Sequence, residues 1–312
     1  MLKYVFKRLL LFIPVFLGIT FLTFSLMKIA PSDPVEMYYF SHNEPLPEKE
    51  ILEQKRKELG LDKSFLTQYK NWLIKFSKGD MGKSYADGED VNKKIAGALP
   101  YTIKLAVISM LITVVVSTPL GILTASKRGK FVDVFVRMIS FITSSIPSFI
   151  LSILLMYLFA IKLKMLPVIS FGSKKGIVLP ALALSLTMSA KYIRQVRATV
   201  LEELGKDYVL GARSRGIKEN VILYKNVLRN TMITIVTLIG LSMGSLLGGT
   251  AITENIFMWP GMGQLVIEAI EKRDYPTVQA FVVWMALIFV IINIIIDISY
   301  RLLDPRVKEK GE

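Results

Sequence analysis

Few side chains in this chain are of a type that does chemistry. There is no cysteine, and His42 is the only histidine. Disulfides, thiolate metal sites and cysteine nucleophiles are therefore excluded. A zinc or nickel site of the usual imidazole kind cannot be assembled from this chain alone. The stretch GDMGKS, residues 79–84, ends in the Gly-Lys-Ser of a phosphate-binding loop. The full pattern requires a glycine five residues before Gly82, where Ser77 stands, and an apolar strand ahead of it, which is missing. Nucleotide binding is not expected there. No nucleophile–base or metal constellation points to an enzyme either. What stands out is mechanical: DYVLGARSRG, residues 207–216, a compact basic decapeptide ending on glycine.

Local signals make this decapeptide a short helix held crosswise between two longer ones. Gly205 breaks the helix before it. Asp207 suits an N-cap, where its carboxylate also meets the positive end of the helix dipole. Tyr208 to Arg215 makes about two turns, and Gly216 is a natural left-handed stop. A further helix follows, with Ile217, Val221, Tyr224 and Leu228 at helical spacing. Tyr208 and Ala212 share a face, with Leu210 near it, and Arg213 and Arg215 project elsewhere. One reading is a lever on which another protein pushes. The other is a solvated loop whose arginines touch lipid phosphates.

The elements that must hold this rod are apolar. The 312 residues are 52% hydrophobic, with a formal net charge of +14 and a mean hydropathy of +0.48. Among long apolar runs, a basic balance reads first as a topology determinant, ahead of nucleic acid or anionic lipid. Six segments can cross a bilayer as helices: 9–29, 101–125, 138–160, 177–193, 231–252 and 278–303. The fourth is short and rich in Ser and Thr. The first resembles a signal peptide, but its apolar run is too long and no small-x-small site follows, so it reads as a retained anchor. Lys3, Lys7, Arg8, Lys127, Arg128, Lys130, Arg137, the 191–230 loop, Arg301, Arg306, Lys308 and Lys310 favour both termini in the cytoplasm. The short outer loops receive only Lys162, Lys164, Lys174, Lys175, Lys272 and Arg273, of which the four lysines at 162–175 dissent.

The organisation expected is a helix over 1–29, an extracytoplasmic helical segment over 30–100, a five-helix core over 101–303 with a cytoplasmic loop at 191–230, and a tail at 304–312. Within 30–100, Ile51, Leu52 and Leu59 lie among charges before Gly60, and Phe65, Tyr69, Trp72, Leu73 and Phe76 share one face. This segment is either a lid on the helix ends or a substrate site. Inside the bilayer, Gly240, Gly244 and Gly248 recur every four residues, beside Ser245 and Gly249. The stripe serves either internal packing or contact with a second subunit. Pro119 and Pro147 are expected to kink their spans, which makes TSSIPS, with Ser144, Ser145 and Pro147, the leading pathway-lining stretch. Ser185, Ser189, Gly244, Gly248 and Glu254 complete that set. Asp297 is read as a structural partner of Arg301 or as a transport residue.

The stretch 207–216 resembles the cytoplasmic loop of ABC-importer permeases. It is close to the DYVxxARxxG form of the dipeptide/oligopeptide/nickel branch through Asp207, Tyr208, Val209, Ala212, Arg213 and Gly216. Of the general Glu-Ala-Ala pattern only Ala212 and Gly216 survive. A second stretch, 248–280, is similar through Glu254, Phe257, Trp259, Pro260, Gly261, Gly263, Asp274, Tyr275 and Pro276. LGLD at 59–62, Leu99-Pro100 and LLDPR at 302–306 also match. The resemblance implies an all-α polytopic membrane protein of six transmembrane helices with the type I importer permease fold. It implies half of a translocation pathway, shared with a second permease subunit. It also implies two cytoplasmic ATPase subunits carrying ATP and Mg, with no cofactor on this chain, and an extracytoplasmic substrate-binding protein. Asp207, Tyr208, Val209, Leu210, Ala212, Arg213, Arg215 and Gly216 would couple to the ATPase, with Tyr208 and Ala212 in its groove and the arginines on its acidic residues. The cargo implied is nickel or a nickel or metal chelate, with di- and oligopeptides as the alternative. A scaffold or sensor docking a cytoplasmic partner is the reading from another class. Membrane lipid is an expected neighbour and nucleic acid is not.

Overall fold

The computed structural model describes residues 2–29, 33–42 and 44–303. The expected tail at 304–312, with Arg306, Lys308, Lys310 and the end of LLDPR, and the side chain of Arg301 lie outside the described residues. The described chain is helical throughout apart from loops and one isolated bridge. In order, α1 is Leu2–Ile29, α2 Pro34–Ser41, α3 Lys49–Glu58, α4 Phe65–Ser77, α5 Val91–Ser126, α6 Phe131–Ser145 and α7 Ser148–Leu155. Then come α8 Val178–Leu204, α9 Asp207–Ser214, α10 Glu219–Val221, α11 Leu228–Ile256, α12 Met262–Glu271 and α13 Tyr275–Leu303. Two π-helical turns, Met156–Lys162 and Ile222–Val227, extend α7 and join α10 to α11.

Two compact units emerge. One runs up to Thr102 and regains Pro260–Val290; the other takes Ile103–Trp259 and the chain from Ile291 onward. The first unit is organised by aromatic side chains. Phe16, Val91, Ile95, Met262, Ala280 and Val283 form its buried core. On α4, Tyr69, Trp72 and Phe76 stack in series, at 6.1 and 5.5 Å between centroids. They meet Phe16, Phe21 and Phe24 of α1. The face expected from spacing is the face that packs. The phenol of Tyr69 donates to the carbonyl of Leu17 at 3.1 Å and lies 2.9 Å from the Thr20 hydroxyl, so its polar end is satisfied within the contact.

The Gly-Lys-Ser of GDMGKS has a different use from phosphate binding. Asp274, immediately before α13, is buried and accepts three hydrogen bonds. They come from the Ser84 hydroxyl at 2.6 Å, the Tyr85 amide at 2.8 Å and the Thr277 hydroxyl at 2.6 Å. The hydroxyl that would hold a metal in a phosphate-binding loop is committed to a carboxylate. No helix starts there; the next begins at Val91.

The spans expected from sequence fall within helices, with two differences. Among the described residues four helical stretches are long and apolar enough to cross a membrane: Leu10–Ile29, Val91–Ser126, Glu219–Gly244 and Tyr275–Ser299. The third expected span is instead a pair of helices, Phe131–Ser145 and Ser148–Lys162, bent by 102°. The cause is Pro147. Its ring excludes the residue before it from the α region, and Ile146 is extended at φ −88°, ψ 123°. Pro119 interrupts nothing, since α5 runs unbroken through it. The fourth expected span lies inside α8, which does not reach the same apolarity because Ser185, Thr187, Ser189, Lys191 and Arg194 dilute it. The exposed face of α6, including Phe131, Phe135, Met138 and Phe141, suits contact with lipid tails.

Replacing Asp274 by alanine strands two buried hydroxyl donors and the part-buried amide of Tyr85. The expected loss is about 2–4 kcal/mol, read as a lowered midpoint of thermal or denaturant unfolding in detergent. An unchanged midpoint refutes this account of the loop.

Candidate functional site

The rod at 207–216 forms as a helix, with its start shifted by one residue. Lys206, extended at ψ 152°, is the N-cap and gives no side-chain cap. Asp207 is the first helical residue, where its charge still meets the helix dipole but does not cap, which corrects the expectation. The end is as the sequence indicates. Gly216 has φ +73°. Its amide donates to the carbonyl of Arg213 at 2.9 Å, and the Ile217 amide donates to that of Ala212 at 3.2 Å. These two bonds are a Schellman closure. Ala212 and Ile217, the two positions such a closure brings together, belong to the same apolar cluster.

That cluster seats the rod. Val209 and Ala212, three apart, are fully buried with Ile122 and Ala125 of α5, Val196 and Val200 of α8, Ile222 and Val227 of the π turn, and Ile235 of α11. The expectation that Ala212 enters a partner's groove is thus corrected: Ala212 faces this chain's own core. Tyr208 is half-buried and also points inward. Its phenol donates to Glu203 at 2.8 Å, and Asn230 donates to the same Glu203 oxygen at 3.0 Å. Lys206 pairs with the other oxygen. Glu203 is 7% exposed. Burial raises its pKa, but the hydrogen bonds from Lys206, Tyr208 and Asn230 outweigh it and hold the carboxyl below the usual glutamate range.

The arginines are engaged as well. Arg213 makes a two-pronged pair with Glu219, at 2.6 and 3.1 Å. Arg215 donates to the carbonyl of Gly211 at 3.1 Å. Both remain exposed, but Arg213 already has an acidic partner in its own chain. The face turned outward is Asp207, Leu210, Gly211 and Ser214, at i, i+3, i+4 and i+7. Leu210 is 54% exposed, and a Cβ at Gly211 would meet nothing within 4 Å.

Another polar cluster was not anticipated from sequence. Asp133, at the start of α6, is 1% exposed and receives both prongs of Arg197 from α8, at 2.8 and 2.9 Å, plus the Gly129 amide at 2.9 Å. Arg137 stands 3.3 Å away. One turn before Arg197 on α8, Arg194 donates to the Ser140 carbonyl and the Ser144 hydroxyl and lies over the ring of Phe141. A lone acid opening an apolar helix, with basic residues elsewhere, was the available signal; a partner 64 residues away is invisible to local spacing.

The pathway candidates are placed as follows. Ser144 and Ser145 are exposed beside the Pro147 break, and Ser145 donates to the Phe141 carbonyl. Pro147 itself is exposed. Ser185 and Ser189 are buried, Ser185 against Thr113 of α5, so they pack between helices in this conformation. The glycine stripe divides. A Cβ at Gly240 would come 2.7 Å from Ile296, whereas Gly248 faces open space; Gly244 is half-buried. Glu254 is fully buried in the last turn of α11. Asp297 and Asn293 lie in α13, and the proposed partner Arg301 has its side chain outside the described residues.

After α11, Met258 takes φ +49° in a second Schellman closure, with the Trp259 amide donating to the Glu254 carbonyl at 2.8 Å. A non-glycine residue there is strained by about 1 kcal/mol. The strain is offset by its neighbours. Phe257 packs with Leu179 and Ala183, and Trp259 with Ala181 and Leu184, so the turn grips the start of α8 on two sides.

With this geometry in place, comparison with known proteins is informative. Residues 117–309 match the profile of the binding-protein-dependent transport system inner membrane component, and residues 1–106 match that of its N-terminal part. The chain is similar to the metal-staphylopine import system permease protein CntB of Staphylococcus aureus, at 34% identity over 99% of both chains. It is equally similar to the glutathione transport system permease protein GsiC of Escherichia coli, at 34% over 99% of this chain and 100% of that one. A putative peptide permease protein of Brucella suis is also 34% identical, over 99% of each. In fold it resembles a chain of the MetNI methionine ABC transporter in an inward-facing form, with TM-score 0.56, 18% identity, and coverage of 67% of this chain and 96% of that one.

Exchanging Glu203 for glutamine is expected to loosen the rod, read as faster hydrogen–deuterium exchange of the amides of 207–214. Because the folded pKa is depressed, the stabilisation is present above the unfolded value and is lost as pH falls through the folded one. The wild type should therefore loosen on acidification below the ordinary glutamate range, and the glutamine variant should show no such step. A step of equal size in both would refute the assignment.

Proposed function

The chain belongs to the inner membrane component family of binding-protein-dependent transport systems, in the peptide/nickel branch of ABC-importer permeases, and on that premise we propose that α9 is the element through which a separate ATPase drives it. The observation that carries this reading is the division of α9 into two faces. Val209, Ala212 and Tyr208 fix it to α5, α8 and α11, while Asp207, Leu210, Gly211 and Ser214 stand free. A seat on helices that reach the bilayer and a free face without bulk at Gly211 are what a transmitter of displacement needs. ATP closure of two cytoplasmic ATPase subunits, which hold ATP and Mg, would move α9. The spans would then favour one global state through differential contacts.

In this reading the chain is no enzyme. It pairs with a second permease subunit and receives cargo from an extracytoplasmic binding protein. Its termini and α9 lie in the cytoplasm, as the distribution of Lys and Arg favours. The cargo is nickel or a metal chelate. The metal-staphylopine relative supports this. Among the described residues no cluster of three His, Asp or Glu could hold a bare metal ion, which favours a cargo that arrives already chelated. A peptide cargo is the second reading, supported by the glutathione and peptide relatives at the same identity.

Gly211→Trp tests the free face, since a Cβ at that position meets nothing within 4 Å. The variant is expected to insert and unfold like the wild type but to lose at least ~10-fold in ATP-driven uptake, the size of one lost docking contact of about 1.4 kcal/mol. Uptake of nickel, nickel chelate and peptide by the complex reconstituted with its ATPases and binding protein is the measurement. Undiminished uptake refutes the role of α9, and uptake of peptide alone refutes the metal reading.

A further inference from the structure

We propose that the corner between α5 and α6 is a docking site for one anionic phospholipid, with its phosphate on the basic residues of 127–137 and an acyl chain along the outer face of α6. A single carboxylate shapes this corner. Asp133 accepts the Gly129 amide at 2.9 Å, which draws the loop back over the first turn of α6, and Gly129 makes the turn at φ +77°. Both oxygens of Asp133 also receive the fork of Arg197, at 2.8 and 2.9 Å. One negative charge is thereby matched by one positive charge. Arg137 lies 3.3 Å from the same carboxylate, with its side chain 41% exposed, and its charge is left in excess. Lys127, Arg128 and Lys130 are exposed around the turn, and none of them forms an ion pair among the described residues. Asp133 is the one acidic residue between 127 and 137, so four cations remain unneutralised there.

The other half of the site is apolar. Phe131, Val134, Phe135, Met138 and Ile142 follow one another at helical spacing along α6 and are between 45% and 80% exposed. Asp133 and Ser140 are buried on the opposite side, against α8. The helix thus turns its polar face inward and its apolar face outward. The break at Pro147 leaves α6 with 15 residues, a length of about 22 Å, against the ~30 Å of hydrocarbon in a bilayer. Its stripe therefore meets the chains of one leaflet, and its basic start lies at the phosphates of that leaflet. A zwitterionic lipid would cover the stripe but bring an ammonium group to the four cations. A soluble anion would neutralise the cations and leave the stripe bare. An anionic phospholipid answers both halves with one molecule.

The test needs neither ATPase nor transport, so its outcome is separate from that of the uptake assay. The full chain in uncharged detergent is titrated with phosphatidylglycerol and with phosphatidylcholine, and bound lipid is counted by native mass spectrometry. The first phosphatidylglycerol is expected to bind at least ~10-fold tighter than phosphatidylcholine. Lys127→Gln, Arg128→Gln and Lys130→Gln together should weaken it roughly 100-fold, about fivefold for each cation near an anionic lipid. Their unfolding midpoint should not move, because all three side chains are exposed. Phe131→Ser should weaken binding about tenfold through the lost chain contact. Exchanging Lys162, Lys164, Lys174 and Lys175 for glutamine removes more charge from another loop and should leave the affinity as it is. Equal affinity for the two lipids would overturn the proposal. So would an equal loss in the two charge-depleted variants, which would trace binding to net charge alone. Displacement of the lipid by ~10 mM glycerol phosphate, enough to fill a weak anion site but without a chain to lie on α6, would overturn it too.

Discussion

The burial of Val209 and Ala212 is the contact on which the rest of the second unit turns. Two small apolar side chains, three residues apart on a helix of two turns, join a core to which α5, α8, the second π turn and α11 all contribute. Nothing polar could be accommodated there without a partner. The Schellman closure at Gly216 then folds Ile217 back onto the same core. A short helix has little stability of its own. This one exists because three longer helices hold its inner face, so a displacement of the rod displaces them.

Close approach elsewhere depends on missing Cβ atoms. At Gly121 of α5 an added Cβ would sit 2.7 Å from Val196 of α8, and at Gly240 of α11 an added Cβ would sit 2.7 Å from Ile296 of α13. In lipid there is no hydrophobic gain from bringing apolar helices together, so dispersion at short range must do it. Charge adds direction to this packing. Asp133 with the fork of Arg197 fixes α6 to α8 at a buried point, where breaking one partner would leave an uncompensated charge.

Much of this was legible in the sequence because it is punctuated. Gly205 and Gly216 bracket the rod, and its limits came out within one residue. The apolar runs marked the spans, and the aromatic spacing of 65–76 marked the face that packs on α1. What escaped detection was long-range or off-period. Val221 and Tyr224 fit an α-helical stripe, yet they are exposed, while Ile222 and Val227 are buried, five apart, because the backbone there is a π turn. Counting in steps of 3.6 selects the wrong face whenever the period is longer. The inward direction of Ala212 and the engagement of Arg213 by Glu219 had a different origin, since α9 is an ordinary α-helix. Spacing tells which residues share a face, but not which face the remainder of the chain will cover.

That π turn has a consequence for motion. It spends an additional residue on one revolution, compared with the helix that follows it. Reverting to the ordinary winding would swing everything upstream by about 100° around the axis, the angle each α-helical residue contributes, without stretching the chain. The link between α9 and α11 thus holds one residue of winding that an α-helix would not, inside the core that seats the rod.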